Sequence, residues 1–90
     1  MKVVGKTTDG KLVAAEIFCM FDSLGLPLAD LFRACDEVNV MPSWYHFALE
    51  AAGQGWSDKT IRTRLREAVT DAYSLDLWLI VEGKLFAPEV

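Results

Sequence analysis

Lys59, Arg62, Thr63 and Arg66 are the residues of this 90-residue chain whose types and spacing could do chemistry together. On a helix, Lys59, Arg62 and Arg66 fall at i, i+3 and i+7 and form one outward stripe, with Thr63 and Thr70 beside it. Cations in such a row neutralise phosphates, while Arg62 and Thr63 are placed to reach base edges. The stretch from Ser57 to Tyr73 holds four of the nine Lys and Arg residues, although the whole chain has a formal net charge of −4. Positive charge is therefore placed and not merely abundant. Lys59 would sit in the first helical turn, where a cation opposes the helix dipole by roughly 0.3–1 kcal/mol. A purely structural choice there would more often be Glu. Two plainer readings stand beside this one: a solvated face, with Arg64 turned toward Glu67 and Asp71, or the same face docked on a protein.

Other groups promise less. His46 is the single histidine, and without a second His or a spaced Cys pair no zinc site is expected. Cys19 and Cys35 form no CxxC and read as buried thiols used as small hydrophobes. Asp36 and Glu37 are adjacent, so on a helix they diverge. Gly53 and Gly55 lack the context of a phosphate loop. Neither an enzyme, a metal nor a cofactor is expected.

The elements that must position the stripe follow from periodicity. Lys2–Thr7 predicts a short strand, followed by a turn on Asp9-Gly10 and a few extended residues before a helix. Apolar residues at helical spacing predict a helix over Ala14–Leu24, capped by Gly25, and a second from Pro27 to about Asn39. A third runs from Pro42 to about Ala52 and is apolar nearly all round, hence central. Ser57 caps a fourth, with Asp58 at its positive end and Trp56 and Ile61 spaced as a hydrophobic staple. Ile61, Leu65, Ala68, Val69 and Ala72 make its inner face. Leu75–Val81 alternates, Glu82-Gly83 could turn, and Lys84-Leu85-Phe86-Ala87-Pro88 could return, so a C-terminal β-hairpin is expected. The fold class is thus mainly α with minor β. About four helices form a helix-turn-helix or winged-helix variant in a single domain over residues 1–90.

A helix-turn-helix needs a short turn, small residues where the helices cross, and an apolar face pinning the second helix. Gly53-Gln54-Gly55-Trp56, Ala51 and Ala52, and Ile61 and Leu65 meet these needs. The run Gly55-Trp56-Ser57-Asp58-Lys59-Thr60-Ile61-Arg62-Thr63-Arg64-Leu65 resembles the turn and recognition helix of response-regulator and quorum-sensing activators. That resemblance covers 11 residues. It implies DNA contacts from Lys59 and Arg62 and inward packing of Ile61 and Leu65. Ahead of the turn, His-Phe-Ala-Leu-Glu-Ala-Ala replaces the family's polar run. A second candidate, Phe32–Leu49, offers Trp44, Tyr45 and His46 with no cation and reads as core. The longer stretch from Gly55 to Tyr73 also resembles small phage and prophage proteins.

Composition sets the rival reading. The chain is 52% hydrophobic, with three Trp, five Phe and two Tyr, and a small domain with such a surplus can spend it on a partner. Its pI of about 4.8 is a handicap for nucleic-acid binding. The alternative is a small acidic inhibitor or adaptor, similar in kind to anti-CRISPR proteins. It would use Asp30, Asp36, Glu37 and Glu50 against a host protein or nucleoprotein complex. A homodimer through the C-terminal hairpin is the further partner expected. No apolar run follows the charged start and none reaches membrane-spanning length, so a cytoplasmic protein without membrane contact is expected.

Overall fold

Eight elements make up the computed structural model, which describes residues 2–86. In chain order they are β1 (Lys2–Lys6), β2 (Leu12–Ala15), α1 (Ile17–Leu24), α2 (Leu28–Glu37), β3 (Val40–Pro42), α3 (Trp44–Gly53), α4 (Asp58–Ala72) and α5 (Leu75–Leu85). The fold is mainly helical with a small three-stranded sheet, ordered β1-β2-β3. Among the described residues there are five helices, where the sequence pattern predicts four. No helix among them is long and apolar enough to cross a membrane.

The hairpin of this fold lies at its N-terminal end. Strands β1 and β2 pair antiparallel around a turn closed by the Thr7 N–H donating to the Lys11 carbonyl at 2.8 Å. Strand β3 pairs parallel to β2, with Leu12 opposite Val40 and Ala14 opposite Pro42. A parallel neighbour needs a crossover, and α1 and α2 supply it. Two boundaries therefore differ from expectation. Helix α1 starts at Ile17 and not at Ala14, because Val13, Ala14 and Ala15 belong to β2 and Glu16 breaks the run at φ 69°. The Glu16 N–H is met from α3, by a Glu50 carboxylate oxygen at 3.0 Å. Pro42 closes β3 instead of opening α3. Lacking an N–H, it suits an edge strand, and Ser43 caps α3 by accepting from the His46 N–H.

The C-terminal hairpin is overturned: Leu75–Leu85 is a helix. Leu75, Leu77, Leu79 and Val81 do alternate, but the same residues also fit a helical period, and packing decides for the helix. Ser74 caps α5 by accepting from the Leu77 N–H at 3.1 Å, and Trp78 and Val81 are buried one helical turn apart. Glu82 and Gly83 lie inside the last turns and make no hairpin tip, so the winged-helix version of the fold falls with the hairpin. Its expected last residues, Ala87 and Pro88, lie outside the described residues. Gly83 does not have a positive φ, and an added Cβ would meet no atom within 4 Å. Gly83→Ala is accordingly expected to raise stability by about 0.5–1 kcal/mol, read by urea unfolding. A turn glycine would give a loss instead.

One apolar cluster joins all five helices and both β2 and β3. Phe32 lies at its centre, 5.1 Å from the Trp44 ring, 5.9 Å from Phe47 and 6.3 Å from Tyr73. The Tyr73 hydroxyl donates to the Phe32 carbonyl at 3.2 Å, and burial holds this phenol well above the usual tyrosine range. Cys35 belongs to the core as expected, but Cys19 is exposed. Partial desolvation and the Glu50 carboxylate beside it push the Cys19 thiol up from its ordinary value.

Candidate nucleic-acid interface

Helices α3 and α4 meet through a four-residue turn, Gln54 to Ser57, whose geometry follows from one residue type. The Trp56 N–H donates to the Ala51 carbonyl at 3.1 Å and the Gly55 N–H to that of Ala52 at 3.0 Å. These are the two bonds of a Schellman ending, which needs a left-handed residue at the position Gly55 fills with φ 93°. Ser57 then starts α4 by accepting from the Thr60 N–H at 3.2 Å. Ile61, Leu65, Ala68 and Val69 are buried and fix the rotation of α4 about its axis. Trp56 packs edge-on against Phe18 at 5.1 Å, tying the turn to α1.

That rotation decides where the cations go. Lys59, Thr63, Arg66 and Thr70 fall within about 60° of one another around α4, opposite the buried face. Lys59, Arg66 and Thr70 are exposed and Thr63 is half-buried. Neither Lys59 nor Arg66 makes an ion pair among the described residues. Arg62 sits at the edge of this stripe, over α5. Its Nε and Nη2 both donate to one Glu82 carboxylate oxygen, at 3.1 and 2.9 Å, and its guanidinium lies 5.5 Å from the Phe86 ring centroid. Arg64 leaves the stripe altogether. It was expected to face Glu67 and Asp71, but it stacks over Trp56 at 5.0 Å and Phe21 at 5.8 Å. Asp71 pairs instead with Arg33 of α2 at 2.9 Å.

The acidic set is not assembled into one patch. Asp30 pairs with Arg33 at 2.8 Å and Asp36 with Lys11 at 2.7 Å. Glu50 is half-buried and spent on the start of α1. Glu37 is exposed, on α2. The clasp between Arg62 and Glu82 escapes the sequence reading because Glu82 reads as a hairpin tip. The signal that could have found it was Ser74 followed by Leu77, Trp78, Val81 and Leu85.

Other chemistry is limited. Ser43 Oγ lies 2.6 Å from His46 Nδ1, but the hydroxyl already caps α3, so the pair is local capping. Among the described residues no group of three His, Cys, Asp or Glu is placed to hold a metal ion. An open groove of about 410 Å³ runs between α5 and the β3–α3 corner, lined by Met41, Tyr45, Leu77, Ile80 and Lys84 among others. Its walls are mostly apolar side chains. Comparison with protein-family models, with curated proteins and with solved structures finds no match to this chain.

Proposed function

We propose that this chain is a small DNA-binding regulator of helix-turn-helix type, of phage or prophage kind, that presents α4 to the duplex. One observation carries the reading: the face of α4 opposite its buried side carries exposed Lys59, Arg66 and Thr70, with half-buried Thr63 among them, along about 16 Å of helix. A major groove is wide enough to admit such a helix. Lys59 and Arg66 meet phosphates, and Thr63 between them is nearest the base edges. Arg62 contributes only when it exchanges Glu82 for a phosphate, so Glu82 tempers the affinity. The rival, an acidic protein-binding inhibitor, draws less support, because Asp30, Asp36 and Glu50 are engaged within the fold.

Fluorescence anisotropy with a pool of short duplexes tests this reading. Binding is expected to weaken steeply with salt, with about 0.9 in log–log slope for each phosphate neutralised. Lys59→Glu with Arg66→Glu is expected to cost on the order of tenfold or more in affinity. Glu82→Gln, which frees Arg62, is expected to raise it. Absence of binding at low salt would sink the proposal.

A further inference from the structure

Helix α5 turns Trp78 and Val81 inward, and this leaves Leu75, Leu79 and Ile80 outward at 55–56% exposure. Single exposed apolar residues are ordinary, but Leu75 and Leu79 stand one turn apart and Ile80 follows Leu79 directly, so three exposed apolar side chains share the outer half of one short helix. Two charges, Asp76 and Lys84, lie on the same outer side. Both are exposed, and neither has an ion pair among the described residues. They are about 12 Å apart along the axis, too far to meet within one helix. Ile80 lies midway between them. The order along the helix is therefore negative, apolar, positive, and that pattern is the complement of its own reverse.

We infer that α5 is the contact by which two copies of this chain pair, packed antiparallel about a two-fold axis near Ile80. Such an axis makes the contact isologous, with the same patch on both copies. It sets Asp76 of each copy beside Lys84 of the other and Ile80 against its counterpart. Leu79 and Gly83 are neighbours on the same side, and the missing side chain at Gly83 lets the axes approach. Parallel packing would instead bring Asp76 to Asp76 and Lys84 to Lys84. The apolar groove beside Ile80, with Tyr45 on its rim, extends the surface that pairing removes from water. None of this depends on DNA, since Lys59 and Arg66 take no part in the contact.

Sedimentation equilibrium tests the inference over a micromolar-to-millimolar range. The wild-type chain is expected to dimerise. Asp76→Lys and Lys84→Asp each create two like-charge contacts across the axis and are expected to raise Kd at least about tenfold. Mixing the two variants is expected to restore association. One copy then carries two cations and the other two carboxylates, so only the mixed pair is complementary. Both positions are exposed, and circular dichroism reports whether each variant keeps the fold. Ile80→Glu, at the axis, gives the same loss by a second route. A wild-type chain that stays monomeric at millimolar concentration overturns the inference. So do single variants that dimerise like the wild type, or a mixture that associates no better than its components.

Discussion

Trp78→Ala is expected to remove about 3–5 kcal/mol of stability, the range for deleting a large aromatic from a core. Trp78 is 1% exposed and is the largest fully buried side chain among the described residues. A domain of this length has roughly 5–13 kcal/mol in all, so the variant is expected to unfold at markedly lower urea. Leu79→Ala supplies the internal contrast. Leu79 is exposed on the opposite side of α5 and its loss is expected to change stability by no more than about 0.5 kcal/mol, measured where the chain is monomeric. In a strand, Leu79 would share the inward face with Leu75, Leu77 and Val81, and Trp78 would lie on the other. Equal losses for the two variants would refute the packing of α5.

Phe32→Ala is expected to be as damaging, again by about 3–5 kcal/mol, for a different reason. Phe32 is fully buried and touches rings from α3 and from the end of α4. Edge-on and tilted aromatic contacts each add about 0.5–1.5 kcal/mol beyond the area they bury. Removing Phe32 leaves Trp44, Phe47 and Tyr73 facing a cavity that three helices must collapse around. Near-ultraviolet circular dichroism is expected to lose intensity before far-ultraviolet signal does, because ring packing fails ahead of helix content. Tyr73→Phe removes only the hydroxyl bond to the Phe32 carbonyl and is expected to cost about 1 kcal/mol. A Phe32→Ala variant as stable as Tyr73→Phe would show that the cluster is not the centre of the core.

Much of the helical frame was legible in the residues. Gly25 ends α1 in the left-handed conformation, Pro27 leads into α2 and Ser57 caps α4, each because one residue type meets one backbone need. The errors share a cause. Val40–Pro42 is a short apolar run whose partner β2 lies 28 residues away, and a parallel pairing that distant leaves no local signature; Val13–Ala15, which also pairs with β1 across the hairpin, is short enough to be read into the helix that follows. Leu75–Val81 fits both a period of 2 and a period of 3.6, and only the burial of Trp78 and Val81 against the other helices decides between them. The outward direction of Lys59 and Arg66 could be read from the inner face of α4. The fates of Arg62 and Arg64 could not, because Glu82, Trp56 and Phe21 reach them through tertiary packing.

Strand β1 is exposed at all five positions and is bulged between Val3 and Gly5. It buries almost no apolar side chain, so little beyond its hydrogen bonds to β2 holds it. Its amides are therefore expected to exchange with solvent through local opening, at a small fraction of the global unfolding free energy. Those of α4 should exchange only when the core opens. The N-terminal strand is thus the segment a protease would reach first, and detaching it would uncover the edge of β2. Lys2 and Lys6, at the two ends of β1, keep the intact edge charged and discourage strand addition from another chain.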